Sequence, residues 1–149
     1  MVNLLSKIFS TDELLDRAFY RIAWNIRHMW EETGTSDTRL FLEPIIPYSF
    51  VLVGRSKGNN ATYNEHVVPH VILCRKCHDM LLLDNSDKSL ENIAMFIKKF
   101  LKVVQITKDE QMRLDVDLGL KQKMPDGWTF DTGDVFARLD VAGINYELF

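Results

Sequence analysis

At 149 residues, with 46% apolar and 26% charged residues, the chain is sized for one domain with its own hydrophobic core. A net charge of −3 supplies no global basic field, which argues against a broad non-specific grip on DNA but leaves room for a local patch. No apolar run reaches the length that spans a bilayer, and Met1 to Phe9 lacks the basic leader, long apolar stretch and cleavage site of a secretory signal, so a cytoplasmic protein without a membrane partner is expected.

Ser10 or Thr11, with Glu13 close behind, reads as a helix cap. From Asp12 to about Glu32 the apolar residues Leu14, Leu15, Ala18, Phe19, Ile22, Ala23, Ile26, Met29 and Trp30 follow the helical period, and Gly34 ends it. The two prolines in Leu40 to Pro47 predict an extended or edge segment. Tyr48 to Val53 reads as a strand, Gly54 to Asn60 as a polar turn, and Ala61 to Val68 as the partner strand of a hairpin. Pro69 suits the first turn of a helix over His70 to about Leu82. After a break at Asp84-Asn85-Ser86, Leu90, Ile93, Ala94, Ile97, Phe100, Leu101 and Val104 predict a helix from about Lys88 to Gln105. Thr107 and Glu110 form a capping-box pattern for a short helix that stops at Gly119. Pro125-Asp126-Gly127 is a turn, and Asp131 to Ala142 reads as a last helix with Gly143 as its stop. The whole, residues 1–149, is a helix-rich α+β single domain with a small antiparallel hairpin beside a His/Cys cluster.

That cluster is the main functional clue. Residues 66–78 hold three of the four histidines, His66, His70 and His78, and both cysteines, Cys74 and Cys77. These side chains bind transition metals and move protons near neutral pH. In a reducing compartment the C-x-x-C spacing points to metal or redox chemistry ahead of a structural disulfide. A strand end would hold His66 in position to take a proton from water, while a following helix presents His78 to a divalent ion that polarises a scissile phosphate. Glu65, beside His66, offers a hard oxygen ligand.

The segment Glu65-His66-Val67-Val68-Pro69, followed by Leu73-Cys74-Arg75-Lys76-Cys77-His78, resembles the ββα-metal (HNH) nucleases. That resemblance implies a metal-dependent endonuclease, a hydrolase of nucleic acid using zinc, magnesium or manganese. His66 would be its general base, and Glu65 and His78 its metal ligands. The chain departs from the family's pattern in three respects. The two halves have no intervening loop and strand, the central asparagine has no counterpart, and the first Cys-x-x-Cys pair is absent.

A second geometry stands beside it. If residues 66–78 are helical, His66, His70, Cys74 and His78 recur every four residues on one face, where neighbours can chelate an ion. Glu65, Glu43 or the Asp-rich C-terminal region would complete the set. Arg55 and Lys57 in the polar turn, and Arg75 and Lys76 between the cysteines, are the candidate nucleic-acid or phosphate contacts. The competing reading is non-enzymatic. A compact acidic chain that sequesters a nucleotide or blocks a partner protein would have the general build of small phage counter-defence proteins. It implies a homo-oligomer, a protein partner or a tight ligand complex. The same residues also suit a plain structural role, since cysteines commonly line a buried helix face.

Overall fold

The computed structural model describes residues 8–42 and 45–149. The chain runs through α1 (Thr11–Thr33), a 3-10 turn (Thr38–Phe41), α2 (Tyr48–Val51), β1 (Leu52–Ser56), β2 (Tyr63–His66), α3 (His70–Leu83) and α4 (Asp87–Phe100). It continues through β3 (Val103–Ile106), α5 (Lys108–Met112), a π-helical turn (Arg113–Asp117), α6 (Ala137–Val141) and β4 (Tyr146–Leu148). The helix-rich α+β architecture expected from the sequence is the one observed. Among the described residues no helix is long and apolar enough to cross a membrane.

Ser10 caps α1. Its hydroxyl accepts from the Glu13 amide at 3.1 Å, and the Glu13 carboxylate accepts the Ser10 amide in return. This capping box satisfies donors that a helix start otherwise leaves open. Gly34 closes the helix in the left-handed region, φ 75°, with its amide on the Trp30 carbonyl at 2.8 Å. The buried face of α1, Phe19, Ile22, Ala23 and Ile26, packs along Leu90, Ile93, Ala94 and Ile97 of α4, the most extensive helix pairing in the molecule. Burying each large aliphatic or aromatic side chain stabilises the fold by about 1.5–3 kcal/mol. Arg27 fastens the far end of the pair by donating to Asp87 at 2.9 Å and to the Asn85 carbonyl at 3.1 Å.

The sheet corrects the sequence reading. Its order is β2-β3-β1-β4, so the expected hairpin between the strands on either side of the polar turn does not form. β3 lies between them, parallel to β1 and antiparallel to β2. The antiparallel pair beside the His/Cys cluster is therefore β2 with β3. The reason lies in Val103, Val104 and Ile106. These β-branched residues continue the apolar pattern of α4, but all three are buried, as a strand flanked on both sides requires. The chain leaves the helix at Leu101, so α4 ends at Phe100 and not near Gln105.

Three smaller corrections follow from the same register. Of the expected strand Tyr48 to Val53 only Leu52 and Val53 are extended, Tyr48–Val51 being a helical turn, and β1 runs on through Gly54, Arg55 and Ser56 of the expected polar turn. The last helix is only Ala137–Val141, because residues 131–136 are taken up in turns. The C-terminal strand β4, which the sequence reading missed, pairs antiparallel with β1.

Candidate functional site

β2 ends at His66, and Val67-Val68-Pro69 carries the chain into α3 at His70. Val67 and Val68 are fully buried, and the Val67 amide donates to the Lys102 carbonyl at 3.0 Å. Pro69 presets the backbone for the helix at φ −57°. This short fixed corner brings the two imidazoles together, with ring centroids of His66 and His70 3.7 Å apart and the planes tilted by 51°. Tyr48 of α2 meets His66 Nε2 through its hydroxyl at 3.2 Å, and Phe41 packs on His70 at 5.2 Å between centroids.

Arg138 of α6 enters from the far end of the sequence. Its guanidinium is 1% exposed. Nη1 donates to Glu65 Oε1 at 2.9 Å and to the His66 carbonyl at 2.7 Å, and Nε donates to the Leu120 carbonyl at 2.9 Å. Nη2 is buried with no partner among the described residues. His66 Nδ1 and His70 Nε2 are in the same condition. Buried polar nitrogens are almost always paired, so three without a partner among the described residues set this corner apart.

These residues line a cleft of about 230 Å3. Its wall also carries Thr38, Tyr63, Asn64, Asp115, Lys121 and Gln122. Burial, and then the charge of Arg138, lower His66 to about 4, and burial with the neighbouring His66 lowers His70 to about 3. Both rings are neutral at pH 7. Burial raises the Glu65 carboxyl, against the opposing pull of Arg138.

The predicted site residues divide. His66, His70 and Glu65 come together in the cleft. Cys74 and His78 do not join them. Eight residues of helix separate His70 from His78, a rise of about 12 Å. His78 Nε2 instead lies 2.6 Å from the Ser36 hydroxyl, which is also 3.7 Å from Cys74 Sγ. Burial lowers His78 and raises Cys74, and burial pushes the fully enclosed Cys77 thiol well up. The helical stripe therefore starts at His70, because His66 belongs to the strand.

The metal implied by the HNH resemblance does not fit these residues. Glu65 is paired with a buried guanidinium, and His78 sits two helical turns from His66's neighbour. Among the described residues no three of His, Cys, Asp and Glu converge as an ion would require. Glu65, His70, Cys74 and His78 thus do not make one ligand set, and Glu43 lies outside the described residues.

The predicted phosphate contacts also lie elsewhere. Arg55 donates to Gln105 at 2.7 and 3.0 Å across β1 and β3. Lys76 stands 5.9 Å over the Phe130 ring, and Lys57 and Arg75 are exposed. The cations of the cleft are Arg138 and Lys121, which the sequence reading did not single out. The one available signal was negative: Arg138 is a charged residue placed between Phe136, Ala137 and Leu139 in an otherwise apolar turn.

Comparison with known proteins brings no match: no family model, no curated protein and no solved structure aligns with this chain.

Proposed function

We propose that the cleft binds a phosphate diester of a nucleotide or nucleic acid and hydrolyses it with His66 as general base. The observation that supports this most is Arg138 Nη2, a buried guanidinium nitrogen without a partner among the described residues, on a side chain that lines the same cleft as His66. A planar guanidinium suits a phosphoryl oxygen, and Lys121 supplies a second positive charge at the rim. Asn64 and Gln122 add amide groups able to orient the ester. Glu65 holds the guanidinium in place, a positioning role in contrast to the ligand role drawn from the resemblance.

In the tautomer whose Nε2–H donates to Tyr48 Oη, His66 Nδ1 carries the lone pair. It takes the proton of a water whose oxygen attacks phosphorus as the P–O bond to the leaving ester oxygen breaks, that oxygen taking a proton from solvent, while Arg138 and Lys121 offset the charge that builds on the non-bridging oxygens. The test is cleavage of plasmid, single-stranded DNA and RNA, with and without Mg2+, Mn2+ or Zn2+. Wild type should cut at least one, and His66→Ala should not while keeping its melting temperature. Substrates left whole under every condition overturn the enzymatic reading.

The low basicity of both rings favours a second reading, binding without turnover. A nucleotide retained by wild type and by His66→Ala, lost by Arg138→Met, and never hydrolysed would select it.

A further inference from the structure

Charges along the cleft wall cancel. Glu65 and Asp115 are negative, Arg138 and Lys121 positive, and the two imidazoles neutral. A phosphoryl oxyanion entering this wall adds a negative charge with nothing to balance it, in surroundings that screen poorly. Among the described residues, the titratable and charged groups that share the cleft with the rings or touch them are Tyr48 from α2, Tyr63 and Glu65 from β2, Asp115 from the π-helical turn, Lys121 from the loop beyond it and Arg138 from α6. Of these, Glu65 is bonded to Arg138 and Asp115 accepts from Gln111 at 2.8 Å. Among the described residues, the tilted imidazole pair and Arg138 Nη2 keep buried nitrogens without a partner.

Their geometry admits one proton between them. With centroids 3.7 Å apart, a charge on one ring opposes a charge on the other. Protonated His66 would use both nitrogens as donors, Nε2–H toward Tyr48 Oη and Nδ1–H toward the anion.

We infer that His66 and His70 act as a single one-proton unit that is loaded when a phosphoryl oxyanion occupies the cleft, so that anion and proton bind together. This rests on the second reading above, binding of a phosphoester without turnover, and it adds how that binding is regulated. The burial and the Arg138 charge that keep His66 neutral in the empty cleft are offset by the incoming ester. The ligand thereby raises the proton affinity of the ring pair, and the imidazolium so formed holds the anion and does not serve as a base.

Dimethyl phosphate tests this, because it is a phosphodiester monoanion that does not titrate near neutral pH. Its dissociation constant, followed by NMR, should fall as pH drops toward about 4, where His66 of the empty cleft takes up its own proton, approaching tenfold per pH unit where only the complex is protonated. The double variant His66→Asn/His70→Asn should lose that slope and bind the probe no more tightly at any pH than wild type does at high pH. Binding by wild type that does not change with pH overturns the inference and leaves the cleft reading intact. A slope that survives in the double variant also overturns it and transfers the proton to Glu65. Failure of wild type to bind the probe at any pH removes the cleft reading together with the inference. If the double variant does not fold, the wild-type ring resonances decide: movement to imidazolium shifts on adding the probe supports the pair as proton carrier, and unmoved neutral shifts refute it.

Discussion

Arg138 Nη1 bonds the Glu65 carboxylate at 2.9 Å and the His66 carbonyl at 2.7 Å, so a single nitrogen pins the end of β2 from 72 residues away in the chain. The pair is buried, and removing one member strands the other's charge in a poorly solvating interior. Arg138→Ala and Glu65→Ala should each lower stability by about 3–5 kcal/mol, read from urea unfolding. Replacing both at once by Met and Leu should restore much of that loss, since a well-packed apolar pair avoids the desolvation cost. Single variants as stable as wild type would mean that solvent reaches the pair.

Acid should weaken the fold over a defined window. His66 and His70 sit at about 4 and about 3 in the folded chain, against 6.5 when solvated. The unfolded chain therefore binds protons that the folded chain refuses. Stability is fully present above pH 6.5 and is lost as pH falls toward 4 and then 3. His66 alone accounts for roughly 3 kcal/mol of this. The Glu65 carboxyl, raised by burial, works in the opposite sense and recovers a part at the acid end. Urea midpoints measured at pH 7 and 4.5 should differ clearly, and the difference should shrink in His66→Asn/His70→Asn. A flat profile in wild type would show that the rings are not buried neutral.

How far this was legible in the sequence follows from the range of each interaction. The capping boxes at Ser10/Glu13 and Thr107/Glu110 are local, and both stand as read. Pro69 opening α3 is local too, and it brings His66 against His70. The tail of α4 was misread because Leu101 and Val104 keep helical spacing while Val103, Val104 and Ile106 also suit a strand. Only the parallel register with β1, formed across the whole length of α3 and α4, selects between them. Arg138 was invisible for the same reason. No local pattern announces that a guanidinium will cross to a strand end so distant in sequence.

The edge strand β4 depends on the absence of a side chain at Gly54. A Cβ there would stand 2.6 Å from the Glu147 carbonyl oxygen, closer than such atoms approach. Gly54→Ala should push β4 outward and cost about 1–3 kcal/mol. The check is amide exchange at Phe149, whose N–H bonds the Val53 carbonyl at 3.0 Å. Faster exchange there, with α1 and α4 still protected, is the expected result, and unchanged protection would mean that the sheet relaxes around the methyl group.

His78 separates the cleft reading from the geometry that the HNH resemblance implies. Its Nε2 is bonded to Ser36 at 2.6 Å, and this ties the segment after α1 to the middle of α3. Loss of that bond in His78→Ala or Ser36→Ala should cost about 0.5–1.5 kcal/mol of stability. Neither change reaches the wall formed by His66, His70 and Arg138. Dimethyl phosphate affinity, and any cleavage, should therefore stay within about twofold of wild type, well short of the tenfold that 1.4 kcal/mol would produce. If His78 served as a ligand to an ion shared with His66, its removal would abolish turnover while Ser36→Ala left turnover largely in place. The contrast between the two variants reads directly on which corner of α3 carries the chemistry.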